Sequence, residues 1–267
     1  MTPLDPDDLA ATFADVAARH DRCVWLDGGG SRDWSGRRSI LGWLEDDDVS
    51  LTYDAARREV TRHRGGRREI VGDDVFAVLE SELADGPASA QWFGYLGYAC
   101  RPDLPARPAG SDGVPDAVWV RPSHLRFVDH PAAAGQPRPA SSRPSATEVP
   151  ATYRAAFERI QEHLHAGDTY EVNLTERHRL TAGLDPATAY LALRRLNPAP
   201  YAGFLQHRVA DATGWLLSSS PERYALVTVG PEGRMLETKP IKGTLPRLGD
   251  PAADAVQAER QIGRAHV

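Results

Sequence analysis

The chain has 267 residues, of which 41% are hydrophobic and 25% are charged, and its formal net charge is −6. This length allows one large or two ordinary domains with a hydrophobic core, which excludes a mini-protein held together by disulfides. No apolar run approaches the roughly 18 residues of a membrane-spanning helix, and no basic cluster is interleaved with aromatic residues as in a nucleic-acid-binding protein. We therefore expect a soluble protein that binds a small molecule.

The start of the chain and its two cysteines predict a cellular compartment. Residues Met1–Asp8 are acidic and lack the basic and apolar regions of an export signal. Cys23 and Cys100 are therefore expected to remain reduced thiols. The sequence predicts a cytoplasmic protein that interacts with neither nucleic acid nor a membrane.

The first half of the sequence predicts helices alternating with short strands. Residues 5–20 predict an amphipathic helix because their apolar side chains recur on one face. Short strands separated by turn residues follow, in an antiparallel arrangement, over residues 22–27, 39–44 and 49–53. Residues 75–84 predict a second helix. The apolar segment 92–98 is expected to be buried, and its two glycines would let another backbone approach closely.

The second half begins after a change of composition. Residues 131–150 are rich in proline, alanine and serine, which predicts a linker between residues 1–130 and residues 151–260. One helix is expected to end at Gly167, which suits a left-handed turn, and another to begin at Asp185-Pro186. Strands are expected over residues 169–180, 214–219, 224–229 and 234–238. The predicted fold class is α+β, with antiparallel sheets and flanking helices.

Lysine is almost absent from the sequence. Of the 31 basic residues, two are lysine and the other 29 are arginine. Lys239 and Lys242 lie in one short segment. Arginine stays protonated at any accessible pH, whereas lysine can lose its proton and act as a nucleophile or base. The clustering favours a chemical role, although two surface charges that cluster by chance give the same pattern.

Three ordered segments carry the most information: Gly167-Asp-Thr-Tyr-Glu-Val-Asn-Leu-Thr-Glu-Arg177, Ser219-Ser-Pro-Glu-Arg223 and Glu237-Thr-Lys-Pro-Ile-Lys-Gly-Thr-Leu-Pro-Arg247. Together they resemble the chorismate-utilising enzymes, and most closely the aminodeoxychorismate synthase branch. Further segments resemble this family at residues 25–27, 39–42, 92–98 and 197–201, so the resemblance covers nearly the whole chain. It implies that the chain is the N-terminal part of this family's α+β fold. Residues 1–130 would be its N-terminal region and residues 151–260 the first part of its chorismate-binding catalytic domain.

The resemblance implies that Lys242 is a covalent nucleophile. In the Pro-Ile-X-Gly-Thr segment, enzymes that resemble anthranilate synthase usually have alanine at X, whereas the aminodeoxychorismate branch has lysine. Here X is Lys242. A neutral amine can attack the ring of chorismate, but a free lysine with a pKa of about 10.4 is protonated at neutral pH, so the site must lower that pKa. An exposed strand lysine is the structural alternative.

Three further residues complete the expected catalytic site. The resemblance assigns Glu222 a general acid or base role near the departing ring hydroxyl of chorismate. The alternative for Glu222 is an ion pair with Arg223 or another arginine. Gly243 and Thr244 would bind a substrate carboxylate through close backbone approach and a hydroxyl group.

A second expected site lies near the start of the chain. Leu26, Asp27 and Ser39 lie where the family forms a pocket for tryptophan. Gly28 stands where a serine is common, and a hairpin turn at residues 28–30 explains the glycines equally well. Tryptophan binding and a structural turn therefore both remain open.

The resemblance also implies the whole reaction. Chorismate would be converted to 4-amino-4-deoxychorismate, on the way to p-aminobenzoate and folate, with Mg²⁺ and with ammonia from a glutamine amidotransferase subunit. The family's magnesium ligands would follow residue 260, so no metal site is expected in this chain. Residues 262–267 match one frame of a common sequencing adapter. We therefore expect a chain cut short, inactive alone, with a non-native tail at residues 261–267.

Two other functions remain as alternatives. The first is that of anthranilate synthase component I or another chorismate enzyme, against which Lys242 argues. The second is that of a non-catalytic protein that binds chorismate or tryptophan, which would fit the missing metal ligands if the short length were real.

Overall fold

The computed structural model of the chain describes residues 6–29, 37–101, 103, 113–130, 149–209, 211–241, 245 and 248–262. Clustering of contacts divides the chain into two units, residues 1–134 with 186–267, and residues 135–185. The predicted α+β class is confirmed, because helices accompany antiparallel sheets. None of the helices in this described part has the length and apolar character needed to cross a bilayer.

The described helices are α1 (Pro6–Arg19), α2 (Val75–Asp85), α3 (Ala151–Ala166), α4 (Pro186–Leu196) and α5 (Pro251–Ile262). The described strands are β1 (Arg22–Asp27), β2 (Arg38–Trp43), β3 (Ser50–Asp54), β4 (Glu59–Arg64), β5 (Arg67–Gly72), β6 (Phe93–Leu96), β7 (Ala117–Val120), β8 (His124–Asp129), β9 (Tyr201–Val209), β10 (Ala212–Ser220), β11 (Leu226–Gly230) and β12 (Gly233–Glu237).

The strands of the larger unit form two five-stranded antiparallel sheets and one hairpin. The first sheet has the order β10-β9-β1-β2-β8, and the second has the order β5-β4-β3-β7-β6. Strands β11 and β12 pair only with each other among the described strands. Because β1 lies between β2 and β9, Trp25 pairs with Leu41 on one side and with Phe204 on the other. The first sheet therefore joins the beginning of the chain to residues that follow the proline-rich segment.

Three clusters of buried side chains form the core of this unit. Helices α1 and α4 contribute Phe13 and Tyr190 to the first cluster, where they pack on Trp25 and Phe204 of the first sheet. The rings of Phe13 and Trp25 lie 4.7 Å apart between centroids. The second cluster joins Val24 and Leu205 of the first sheet to residues of β6 and β7 in the second. The third packs α2 against the second sheet.

The predicted helices agree closely with the observed ones. The Asp74 carboxylate accepts hydrogen bonds from the backbone N–H groups of Phe76 (2.8 Å) and Ala77 (3.3 Å), which caps α2. Gly167 ends α3 in the left-handed conformation, with a φ of 80°. The predicted strands in residues 22–53 and 214–238 are also present, with small shifts of their ends.

Two expectations were wrong, one about a strand and one about burial. Residues 171–185 form neither helix nor strand, because their unit offers no neighbouring described strand with which residues 169–180 could pair. The segment 92–98 is only partly buried, since Phe93 is enclosed whereas Tyr98 is 90% exposed. Its glycines do allow close approach, because a Cβ at Gly94 would lie 2.1 Å from the Val118 carbonyl oxygen. Residues 131–148 of the expected linker lie outside the described residues.

Candidate functional site

The pairing of three strands brings Glu222 and the expected tryptophan-pocket residue Asp27 to one end of the first sheet. Ala202, near the start of β9, pairs with Asp27 of β1 on one side and with Ser219 of β10 on the other. Because neighbouring strands lie about 4.8 Å apart, the backbones at Asp27 and Ser219 are separated by roughly 10 Å. Glu222 follows β10 directly. The candidate tryptophan pocket and the candidate acid or base therefore share this end.

The Asp27 carboxylate is buried and bonded to groups of the same unit. Its Oδ2 accepts a hydrogen bond from Arg194 Nε at 2.6 Å and its Oδ1 accepts one from the Gly29 N–H at 2.9 Å. The guanidinium of Arg194 also lies over the ring of Trp25, 4.9 Å from its centroid. Burial raises the pKa of Tyr190, whose hydroxyl donates to Oδ2 at 3.4 Å. A ligand's ammonium group could pair with Asp27 only by displacing Arg194.

Ser39 is fully buried and joins the two ends of the connection between β1 and β2. Its Oγ accepts a hydrogen bond from the Gly28 N–H at 3.0 Å and lies 2.7 Å from His130 Nε2. Burial lowers the pKa of His130. A neutral His130 ring can therefore accept the Ser39 hydroxyl proton.

At this end of β1, Gly28 is packed closely against β2, whereas Leu26 is exposed. A Cβ at Gly28 would lie 2.6 Å from the Arg38 carbonyl oxygen, so a serine there requires the backbone to move. The close approach of the two strands thus accounts for glycine where the family commonly has serine. Leu26 is 43% exposed and pairs with Gly203 of β9. Its side chain is therefore accessible, unlike those of Asp27 and Ser39.

The segment 197–201 ties the end of α4 to β10. Asn197 Nδ2 donates a hydrogen bond to Ser219 Oγ at 2.9 Å, and that hydroxyl donates to the Asn197 carbonyl oxygen at 2.5 Å. These reciprocal bonds hold the strand that leads into Glu222.

Glu222 lies in a tight turn after β10 and is half-buried. The Ser220 hydroxyl donates to the Glu222 carbonyl oxygen at 2.9 Å, and the Glu222 N–H donates back to Ser220 Oγ at 3.2 Å. Both bonds involve only the Glu222 backbone. Within the described residues, no side chain forms an ion pair or hydrogen bond with its carboxyl group.

The arginine next to Glu222 is paired elsewhere. Arg223 Nη2 binds Glu237 Oε1 at the end of β12. The same oxygen lies 3.3 Å from Lys239 Nζ, whose side chain is 61% exposed. A second tie comes from Thr238 Oγ1, which donates to the Tyr224 carbonyl oxygen at 3.0 Å. Lys239 is thus an exposed, ion-paired ammonium.

The β11–β12 hairpin connects the two candidate catalytic segments. Leu226 pairs with Glu237 at its base. Glu222 precedes β11 and Ile241 follows β12, so both lie beyond the open end of the hairpin. The hairpin also exposes apolar side chains, since Val229 is 78% and Met235 is 67% accessible.

Three expected site residues, Lys242, Gly243 and Thr244, lie outside the described residues. A group of three or more metal-ligating side chains is absent from the described part of the chain. The donors there do not fit Mg²⁺, which needs several oxygen ligands in near-octahedral geometry.

The sequence did not single out Arg194, Tyr190 or His130, which surround Asp27 and Ser39. Arg194 is one of 29 arginines, and no local pattern distinguishes it from Arg195. Its one available signal is its position in the last turn of α4, just before the 197–201 segment.

A comparison with protein-family models finds the family that the sequence motifs resemble. Residues 130–261 match the model of the family described as chorismate binding enzyme. The chain belongs to this family of chorismate-utilising enzymes. The matched range includes Glu222 and Lys242.

Individual relatives come from two branches of the family. An aminodeoxychorismate synthase from Streptomyces pristinaespiralis is 33% identical over 92% of this chain and 40% of its own length. Aminodeoxychorismate synthase component 1 from Escherichia coli is 43% identical over 42% of this chain and 23% of its own length. Anthranilate synthase component 1 from Streptomyces coelicolor is 28% identical over 81% of this chain and 52% of its own length. The chain thus spans about two fifths of the Streptomyces pristinaespiralis relative.

Proposed function

We propose that the whole protein aminates chorismate to 4-amino-4-deoxychorismate. Lys242 acts as the covalent nucleophile and Glu222 as the general acid or base. The observation that carries this proposal is the pairing of Arg223 with Glu237. It leaves the half-buried Glu222 carboxyl group available for proton transfer instead of occupying it in an ion pair.

The two lysines are distinguished by their surroundings and positions. Lys239 is exposed and forms an ion pair with Glu237 on the surface of the hairpin. Lys242 has the position of the lysine in the family motif. The β11–β12 hairpin joins the two candidate segments, because Glu222 precedes β11 and Lys242 follows β12 in the sequence.

The proposed chemistry has two steps. In the first, the neutral amine of Lys242 forms a bond to the ring, the ring carbon–oxygen bond breaks, and Glu222 donates a proton so that the hydroxyl leaves as water. In the second, ammonia forms the new carbon–nitrogen bond, the lysine departs as the neutral amine, and the new ammonium group returns a proton to Glu222. The sum consumes chorismate and ammonia and releases 4-amino-4-deoxychorismate and water.

The remaining parts of the proposal rest on the family resemblance. Gly243 and Thr244 bind a substrate carboxylate, and magnesium serves the whole enzyme. A glutamine amidotransferase subunit supplies ammonia, in keeping with the words "component 1" in the Escherichia coli relative's name. The product enters p-aminobenzoate and folate synthesis in the cytoplasm.

The chain is proposed to contain two regions of the family's fold. Residues 1–130 form the N-terminal region, and residues 151–260 form the first part of the chorismate-binding domain. The family match over residues 130–261 supports this division. The first sheet spans both regions, since β9 pairs with β1.

Product identity tests the proposed function. Residues 1–260 are joined to the segment of the Streptomyces pristinaespiralis relative that follows the matched region, with that relative as the positive control. Chorismate, ammonium and Mg²⁺ are added, and products are identified by chromatography with mass spectrometry. We expect 4-amino-4-deoxychorismate. Anthranilate would favour the anthranilate synthase branch, and bound but unconverted chorismate would favour a binding protein.

A further inference from the structure

A directed chain of hydrogen bonds crosses the space between the two five-stranded sheets. The guanidinium of Arg22 donates to Ser50 Oγ at 3.0 Å, and Ser50 Oγ lies 2.9 Å from His207 Nε2. The other ring nitrogen of His207 lies 2.6 Å from the Ala212 carbonyl oxygen. A carbonyl can only accept, so Nδ1 carries the proton and Nε2 accepts from the Ser50 hydroxyl. This arrangement requires a neutral His207.

A second buried histidine touches the first. His63 is 4% exposed, and its Nε2 lies 2.8 Å from Thr52 Oγ1. Its Nδ1 is buried and has no hydrogen-bond partner in the described part of the chain. The rings of His63 and His207 meet edge to face, with centroids 5.3 Å apart. A positive charge on either ring would therefore face the other ring without an added acceptor.

The charged groups around this pair do not favour protonation. Arg22 is a buried cation that acts on both rings, and Arg68 of β5 acts on His63. Neither histidine forms an ion pair with a carboxylate among the described residues. The nearby acids act instead on the two arginines, and they are Asp21, Asp46, Asp48 and Asp211.

Burial and these cations lower the pKa of His63 and of His207 to about 4. A histidine in an unfolded chain has a pKa of about 6.5. The unfolded chain therefore binds more protons between these values, so folding stability is complete above about pH 6.5 and is lost as the pH falls toward 4.

We propose that His63 and His207 form an acid-sensitive joint between the two sheets. At neutral pH the uncharged rings close the joint, together with Arg22, Ser50 and Thr52. Protonation of His207 Nε2 turns an acceptor into a donor opposite the Ser50 hydroxyl. Protonation of His63 makes both of its ring nitrogens donors, although Nδ1 has no acceptor among the described residues. Either event opposes the packing of β4 against β9.

Urea unfolding from pH 7.5 to 4.5 tests this joint in the full 267-residue chain. The double variant His63→Gln, His207→Gln removes both titrating rings, and His165→Gln removes an exposed histidine of α3 as a control. Uptake of two protons raises the unfolding constant by up to about 100-fold per pH unit. We expect this acid-dependent rise to be much smaller in the double variant and unchanged in the control. Equal pH dependence in all three proteins would overturn the proposal.

A direct measurement keeps the test decisive if the double variant does not fold. Proton NMR of the wild-type chain follows the Cε1–H resonances of His63 and His207, assigned with the single variants. We expect neither ring to titrate above pH 5 while the chain is folded. Titration of either buried ring near pH 6.5 in the folded chain would contradict the joint.

Discussion

The carboxylate of Glu237 binds the guanidinium of Arg223, which is the residue next to Glu222. This pair answers the main structural alternative for Glu222, an ion pair with Arg223. The Glu222 carboxyl group consequently has no side-chain partner within the described residues. Its half-buried turn, close to the base of the β11–β12 hairpin, is a suitable position for proton transfer.

Replacing Glu222 by glutamine tests that role. Glu222→Gln keeps the size of the side chain but removes the titrating group, and general acid or base catalysis typically contributes about 10²- to 10⁴-fold in rate. We expect a loss in this range when kcat for amination is measured in the chimeric protein described above. Glu232→Gln, in the exposed turn of the hairpin, is the matched control. A loss below roughly tenfold with an unchanged pH profile would return Glu222 to a structural role.

The Asp27–Arg194 pair should contribute strongly to stability. Arg194→Ala leaves a carboxylate that is 3% exposed without its charged partner, and breaking such a buried pair costs about 3 kcal/mol. Urea unfolding of the 267-residue chain measures the change. Arg195→Ala, on the exposed side of the same helix, should change the unfolding free energy by less than about 0.5 kcal/mol. Equal effects of the two substitutions would show that the Asp27 pair is not stabilising.

Arg194 should also control tryptophan binding at Leu26, Asp27 and Ser39. Because Arg194 already neutralises Asp27, we expect tryptophan to bind the wild-type chain at least about tenfold more weakly than Arg194→Gln, a difference of about 1.4 kcal/mol. Isothermal titration calorimetry at neutral pH compares the two proteins. Tighter binding by the wild type would mean that Arg194 recognises the ligand itself, and the displacement argument would then be wrong.

Gly28 should not accept the serine that is common in the family. In Gly28→Ser the new Cβ would lie 2.6 Å from the Arg38 carbonyl oxygen, and overpacking of this kind costs about 1–3 kcal/mol. Gly230→Ser is the control, because a Cβ there has no atom within 4 Å. Thermal unfolding should distinguish the two. Equal melting temperatures would show that the connection between β1 and β2 adapts freely.

The residue pair Asp-Pro marks the start of two helices in this chain. Asp185-Pro186 correctly predicted the start of α4. The same pair of residue types at Asp250-Pro251 begins α5, which was not predicted. There the Asp250 carboxylate accepts from the Ala252 N–H at 3.2 Å. The capping signal was therefore present in the sequence.

Strand prediction failed where pairing, not residue type, decides the structure. Strands β4 and β5 were not predicted because polar and charged residues occupy much of both. They form because β4 pairs with β3 and buries Val60. Residues 169–180 show the reverse case. Their composition is strand-like, but no described strand pairs with them, so they form no strand. Long-range pairing of this kind is not encoded in a local window.

The sequence motifs identified candidate site residues but not the side chains that bind them in the fold. Asp27 and Ser39 were singled out from sequence, whereas their partners Arg194 and His130 come from α4 and the end of β8. The pairing of β9 with β1 brings in the segment that follows α4, and the pairing of β8 with β2 brings His130 to Ser39. Such neighbours depend on tertiary structure, and of these two only Arg194 has a local signal, its position just before the 197–201 segment.

Substitution of the two lysines in the chimeric protein tests most directly whether Lys242 is the nucleophile. Lys242→Ala and Lys242→Arg should each abolish most amination while chorismate still binds, since arginine cannot deprotonate to attack. Lys239→Arg should retain activity, because arginine can replace its exposed ion pair with Glu237. Mass spectrometry after incubation with chorismate and Mg²⁺, without ammonia, should find a covalent adduct at Lys242 in the wild type. Undiminished amination by Lys242→Ala would contradict the assignment of Lys242 as the nucleophile.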